Sequence, residues 1–486
     1  MNTRQSILFP IVLITLLGAP SPFSPALIAC SDTTSAKRVT GRWMGTLKVQ
    51  AFELRIVFRV SSDQSGVLST LMDSPDQGAT GIPVDSTLFS ENKVRFALPR
   101  IAGIYEGFLQ AGDTSISGEW RQGGQAFPLV LRRMLQEIEP PRRPQEPKPP
   151  YPYETEDVTY PNGAAGITLA GTLTYPRSGG PFPAVVLITG SGPQDRDETI
   201  FNHRPFKVLA DYLSRQTIAV LRVDDRGVGK STGSFATATS EDFAADALAG
   251  VDYLKTHPRI DTKNIGLIGH SEGGLIAPMV ANRSGDVAFI VLMAGPALTG
   301  EQIVLLQSEL ISRASGVPED SIRMQLELTR RLFAVIKEEN DTARASARMR
   351  EIVAEVAAKA GSEEQRNIIR RSVEQSTRSL NTPWFRYFLT YDPLPALKAV
   401  KCPVLAVNGE KDLQVPPRQN LEGIESALRL GGNRDHLVKM LPGLNHLFQT
   451  AQTGSPMEYG KIEETISPDA LKVIGDWIAG QTSAKE

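Results

Sequence analysis

Cysteine is nearly absent, with only Cys30 and Cys402 in 486 residues. That excludes a disulfide framework and any thiolate-rich zinc site. Histidine is scarce too: His203, His257, His270, His436 and His446 are the five present, and no two stand in a His-x-x-x-His pair. A metalloenzyme is therefore not expected. Excess positive charge is also missing. Lys and Arg number 52 against 54 Asp and Glu, a net charge of −2, which excludes the electrostatic profile of a nucleic-acid partner. No apolar run reaches the roughly 20 residues that span a bilayer. What is present is ordinary globular usage, 41% hydrophobic and 22% charged residues, in a chain long enough for two or three domains with sizeable cores.

The first residues read as an export address. Arg4 precedes the apolar run Ile7–Leu17, and small residues follow it, the pattern of a secretory signal peptide over 1–29. Leu27-Ile28-Ala29-Cys30 resembles a lipobox, which makes Cys30 a candidate lipidation site. A lipoprotein attached to a membrane through Cys30 is one expectation; cleavage near Ala29 and release as a periplasmic or secreted protein is the other. Cys402, followed by Pro403, Val404 and Leu405, is expected as a buried free thiol.

Residues 30–138 are expected as a β-rich domain, in which the pattern from Val39 to Met134 has period two. Leu54, Ile56, Phe58 and Val60 interleave with Arg55, Val57 and Arg59, and Val94, Phe96 and Leu98 repeat the pattern. Half-buried antiparallel strands follow, in a small all-β barrel or sandwich. Gly41-x-Trp43 is echoed by Gly118-x-Trp120, and both tryptophans are expected in the core of that domain. Residues 139–157 form a Pro-rich linker. Proline fixes φ and lacks an N–H, so the stretch is expected to extend at about 3.1 Å per residue unless something folds it back.

From residue 158 to 486, apolar runs at Ile167–Tyr175, Ala184–Ile188, Ile218–Val223, Ile265–Ile268, Phe289–Met293, Val404–Val407 and His436–Leu441 alternate with helical stretches at Pro205–Arg215, Glu241–Thr256, Leu275–Asn282 and Ser467–Ala479. This alternation predicts an α/β fold, a mostly parallel sheet with helices on both faces. Gly269-His270-Ser271-Glu272-Gly273-Gly274 follows one strand and opens a helix. A Gly-x-Ser-x-Gly turn in that setting strains the serine backbone and lifts its hydroxyl above the sheet. Ser271 is thus the candidate nucleophile. By contrast, Gly227-x-Gly229-Lys230-Ser231 lacks the first glycine of a phosphate-binding loop, because Asp224 stands there.

A serine hydroxyl needs a base and a group that orients the base. The chain order expected on such a sheet is serine, acid, histidine. Asp412 follows the strand at 404–407 and His446 follows the strand at 436–441, which brings both to the edge that carries Ser271. Glu410 is the competing acid; His257, His270 and His436 read as structural. Two backbone N–H donors are needed for the tetrahedral oxyanion. Glu272 supplies one; the turn Thr189-Gly190-Ser191-Gly192-Pro193 supplies the other, from Ser191 or alternatively Gly192. Asp195-Arg196-Asp197 continues that turn, either as a brace or as a solvated charge run.

These residues resemble the serine hydrolases of the α/β-hydrolase fold, more narrowly the bacterial esterase and serine aminopeptidase-like branch. The resemblance rests on Gly190-Ser191-Gly192-Pro193-x-Asp195-Arg196-Asp197, Leu221-Arg222-x-Asp224-x-Arg226-Gly227 and the Gly269–Gly274 motif, and spans about 158–480. It implies carboxylic ester hydrolysis through Ser271, Asp412 and His446, without metal or cofactor, on a small-molecule ester or, alternatively, a short peptide. A non-catalytic binding protein on the same scaffold is the remaining alternative, and the oligomeric state stays open. The helical stretch at about 298–395 resembles the cap of such enzymes. Trp384, Phe385, Phe388 and Tyr391 close it and either line the pocket or form the core of the cap. Gly190, Gly192, His203, Trp384 and Phe385 are the candidate pocket residues.

Overall fold

The computed structural model describes residues 33–49, 52–77, 79–101, 103–122, 125–135, 141–358 and 380–483. The expected leader, Cys30, the start of the Pro-rich linker and residues 359–379 of the expected cap lie outside the described residues. Among the described residues, no helix is long and apolar enough to cross a membrane, and no group of three or more His, Cys, Asp or Glu side chains is arranged to hold a metal ion. The chain divides into two compact units, one built on the segment up to Pro141 with 315–328 and 346–378, the other on 142–314, 329–345 and 379–486.

The sheet of the first unit is all antiparallel. After a short helix α1 (Thr33–Val39), strands β1 (Gly41–Val49), β2 (Phe52–Ser62), β3 (Leu68–Ser74), β4 (Ala79–Pro83), β5 (Ser86–Ser90), β6 (Lys93–Leu98), β7 (Gly103–Leu109), β8 (Ser115–Gln122) and β9 (Gln125–Arg133) form one sheet. Its order is β4-β3-β2-β1-β9-β8-β7-β6-β5, so a four-strand meander (β1–β4) and a five-strand meander (β5–β9) meet at β1 and β9 and the sheet curls into a half-barrel. The period-two pattern is realised in β6, where Val94, Phe96 and Leu98 point inward. Trp43 and Trp120 are fully buried, as core anchors must be. Phe58 stacks on Phe96 at 4.5 Å between centroids, the Trp43 indole donates to Val39 O at 2.7 Å, and the Arg133 guanidinium lies 4.3 Å over the Trp43 ring. Aromatic side chains of this size contribute the largest share of burial in so small a core.

The second unit holds an eight-stranded sheet, β10 (Tyr153–Asn162), β11 (Ile167–Pro176), β12 (Phe182–Ile188), β13 (Ala219–Val223), β14 (Ile260–His270), β15 (Val287–Met293), β16 (Val404–Gly409) and β17 (His436–Leu441), in the order β10-β11-β13-β12-β14-β15-β16-β17. The β10–β11 hairpin is antiparallel to the rest, and β12 to β17 run parallel. Strand β10 begins inside the stretch expected as linker. Helices α2 (Pro205–Arg215), α3 (Ser240–Thr256) and α4 (Glu272–Ala281) cover the sheet; α5 (Gly300–Ala314), α6 (Glu319–Glu338), α7 (Thr342–Ala358), α8 (Pro383–Thr390), α9 (Leu394–Ala399), α10 (Pro417–Leu430) and α11 (Pro468–Thr482) come later in the chain, and α6 and α7 are divided between the two units. Two apolar layers sandwich the strands. Leu187, Val220, Ile268 and Val291 face α2 and α11, while Val186, Leu221, Leu267 and Ile290 face α3 and α4. Strands buried on both faces must be apolar throughout, which is why they were legible as continuous runs.

The Pro-rich stretch does not extend into solvent. Arg143 donates to the carbonyls of Phe201, Gly460 and Ile462 at 2.9–3.0 Å. Gln145 bridges Ile466 O and the amides of Thr465 and Ile466, and Glu146 pairs with Arg204 and Lys207. Proline-rich backbone lacks N–H donors for a sheet, so side chains between the prolines do the docking.

Candidate active site

Strand β14 ends at His270 and α4 starts at Glu272, leaving Ser271 alone at the turn with φ 54 and ψ −116. That backbone is strained for any residue with a side chain. It persists because the turn is closely packed on both sides. A Cβ on Gly269 would lie 2.0 Å from Gly273 O, and one on Gly273 would lie 2.1 Å from Ile188 O. The two glycines are therefore a steric requirement. Ser271 N–H is anchored to Met293 O at 2.8 Å, and the side chain stands at the positive end of α4.

Asp412 and His446 come from the loops after β16 and β17. His446 Nδ1 lies 2.7 Å from Asp412 Oδ2, with the two residues 5% and 2% exposed. The other carboxylate oxygen of Asp412 accepts the backbone N–H groups of Gln414 and Val415 at 2.7 and 2.9 Å. Both carboxylate oxygens are thus engaged, Oδ1 by two backbone N–H groups and Oδ2 by His446, which fixes the carboxylate. With Nδ1 held by Asp412, the imidazole is left with Nε2 for proton transfer. Glu410, the competing acid, is exposed and accepts from Gly443 N–H, which shapes the turn before His446. His446 shares the rim of Ser271, since its carbonyl oxygen lies 3.0 Å from Nε2 of His270, the residue before the serine.

The turn after β12 is held by three carboxylates. Glu198 Oε1 accepts the N–H of Gly190 at 2.7 Å. Asp225 accepts the Thr189 hydroxyl and the Gln194 N–H, each at 2.9 Å. Asp224 receives Arg196 through its amide and two guanidinium nitrogens, and Arg222 pairs with Asp197. The charged run is therefore a brace. Gly190 N–H is already spoken for, whereas no partner is seen among the described residues for the N–H groups of Ser191 and Gly192. Gly192 takes φ 100, a conformation suited to glycine. Burial pushes the Asp225 carboxyl up to about 8, with the nearby Glu272 and Glu198 adding to the rise.

Glu272 is buried and its carboxyl is raised above the usual range by burial. Its Oε1 accepts the Ser240 hydroxyl at 2.6 Å and the Trp384 indole N–H at 2.8 Å. Trp384 also stacks on Phe388 at 5.4 Å. Phe385 points the other way, against Phe333 at 5.6 Å, into the helical core. A small cavity of about 40 Å³ is lined by Gly190, Gly192, Asp225, Phe243, Glu272 and Ile276 among others.

His203 is wholly buried. Its ring nitrogens meet the Thr465 hydroxyl and Tyr459 O, both at 2.9 Å, and burial with the nearby Arg143 charge lowers it to about 4. It joins the loop 459–465 to Gln449, three residues beyond His446. Its role is structural support of the histidine loop. Sequence reasoning missed Glu198 and Asp225. The available signal was an acidic residue at the end of β13 and another a few positions past a glycine-rich turn.

The order and pairing of the sheet, a serine on a strained strand-to-helix turn and a buried His–Asp pair at the same edge define a class, the α/β hydrolases. The sequence profile of the Alpha/beta hydrolase family matches residues 185–453, more than half of the chain, and the chain belongs to that family. Esterase EstD of Thermotoga maritima is 28% identical over 318 residues, a match that covers 64% of this chain and 64% of that esterase. Among solved structures, the Pyrococcus furiosus esterase PF2001 is 17% identical with a TM-score of 0.40, covering 68% of this chain and 91% of its own. The alpha/beta hydrolase GrgF from Penicillium sp. is 18% identical with a TM-score of 0.41, covering 68% and 99%.

Proposed function

We propose that this protein hydrolyses carboxylic esters of small molecules through an acyl-enzyme formed on Ser271. The observation that carries this reading is the 2.7 Å contact between His446 Nδ1 and Asp412 Oδ2, made by side chains shut off from solvent at the edge that also bears Ser271. His446 Nε2 removes the hydroxyl proton as Ser271 Oγ attacks the ester carbonyl. The oxyanion is received by the N–H of Glu272 and that of Ser191, with Gly192 as the alternative donor. His446 then gives its proton to the leaving alcohol, and a water activated by the same imidazole cleaves the acyl-enzyme. Asp412 holds the tautomer and stabilises the imidazolium. Kinship with an enzyme named as an esterase supports ester over amide as the substrate.

The test is turnover of p-nitrophenyl butyrate by the purified protein and by Ser271→Ala, together with labelling by a fluorophosphonate. The serine variant is expected to lose all measurable turnover and all labelling while its melting temperature is retained. Full activity in that variant refutes the assignment. A matched aminoacyl amide hydrolysed faster than its ester would replace esterase with peptidase.

A further inference from the structure

One buried pair is left unused by the proposed mechanism. His270 precedes Ser271 and is 6% exposed, and Glu198 is 3% exposed. His270 Nδ1 lies 2.9 Å from Glu198 Oε1, the same oxygen that accepts the N–H of Gly190 at 2.7 Å. His270 Nε2 lies 3.0 Å from the backbone oxygen of His446. A carbonyl only accepts, so Nε2 carries a hydrogen, and a proton also lies between Nδ1 and the carboxylate. The His270 and His446 rings stand 4.9 Å apart.

We propose that Glu198 and His270 are positioning residues, a second imidazole–carboxylate pair that does not react but fixes the oxyanion turn, the nucleophile turn and the backbone of His446 in one frame. Each end of the pair falls beside a reacting group. Gly190 precedes Ser191, His270 precedes Ser271, and the carbonyl that accepts from His270 Nε2 belongs to the base. These three segments are far apart in sequence, and no other chain of hydrogen bonds described above joins all of them. The Glu198 backbone is itself held at φ 52, a left-handed conformation that aims the side chain back under the turn. Because a misplacement of about 1 Å costs on the order of 100-fold in rate, loss of the frame is read in the chemical step and not in substrate binding.

The inference rests on the ester-hydrolase reading, and its test separates the two. Glu198→Ala and His270→Phe, the latter keeping a ring against His446, are each expected to lower kcat about 10- to 100-fold with KM changed less than about threefold. The second-order rate of fluorophosphonate labelling at Ser271 should fall in parallel. Groups acting as one unit are not additive, so the double variant should be no slower than the slower single variant. Glu198→Gln, which keeps an acceptor for Gly190 N–H, should regain at least part of the loss seen with alanine. Folded single variants with unchanged kcat and labelling overturn the proposal, as do multiplicative losses in the double variant or losses confined to KM. If Glu198→Ala does not fold, Glu198→Gln and His270→Phe carry the same comparison. If the wild-type protein ignores esters but is labelled at Ser271, the substrate reading fails and the labelling rates still decide the positioning role.

Discussion

The indole N–H of Trp384 donates to Glu272 Oε1 at 2.8 Å, so helix α8 is bonded to the residue immediately after the proposed nucleophile. A hydrogen bond to a carboxylate contributes about 1.5–3 kcal/mol. Trp384→Phe keeps the stacking on Phe388 and removes only the donor. It should lower stability by about 1–2 kcal/mol and reduce kcat/KM for p-nitrophenyl butyrate several-fold. Chemical denaturation and steady-state kinetics on one preparation check both, and unchanged values would show the contact to be idle.

Asp412→Asn preserves size and removes the negative charge that fixes the His446 tautomer. A loss of about 10³- to 10⁴-fold in kcat is expected, with the far-UV circular dichroism spectrum unchanged. A loss below tenfold would point to another acid.

The Pro-rich stretch makes a prediction about domain removal. Arg143→Ala leaves the carbonyls of Phe201, Gly460 and Ile462 without that donor; loss of the bond to Gly460, the buried one of the three, costs about 1 kcal/mol or more, and the two half-buried carbonyls cost less. A protein beginning at Arg142 should melt several degrees above one beginning at Tyr151. Equal melting temperatures would mean that the strap contributes nothing.

His203 gives a pH dependence of stability. Its neutral form is favoured by burial and by Arg143, which lowers it from 6.5 to about 4. The unfolded chain therefore binds a proton between pH 6.5 and 4 that the folded chain does not. Stability is full above pH 6.5 and falls as the pH drops towards 4, by roughly 3 kcal/mol in all from this group. Urea unfolding across that range should show the slope, and His203→Gln should flatten it.

The parallel strands were legible because burial on both faces demands unbroken apolar runs, and Ser271 because the turn admits only glycine two residues on either side. Asp412 and His446 were candidates from their places in the loops after two apolar runs and from the order serine, acid, histidine, and the structure sets His446 Nδ1 2.7 Å from Asp412 Oδ2. The start of edge strand β10 was hidden because it follows directly on Pro152, and its alternation of buried and exposed residues becomes regular only from Val158. Helix α10 between β16 and β17 also went unread. His203 carried no local sign of its surroundings, and contacts with residues 449, 459 and 465 decide its role.

The sequence by itself determined the sheet and the candidate residues that it would carry to one edge, because strand burial and turn sterics are local properties of a few neighbouring side chains. Only the tertiary structure decided what surrounds them: the charged run after the oxyanion turn as a brace, the Pro-rich stretch as a strap, Glu198 beneath Gly190, and Trp384 on Glu272. Apart from Glu198 and Gly190, which are eight positions apart, those partners lie tens to hundreds of positions apart in the chain. Hydrogen bonds between such distant groups leave no period or spacing in the sequence, since they depend on where the packed sheet brings its loop ends.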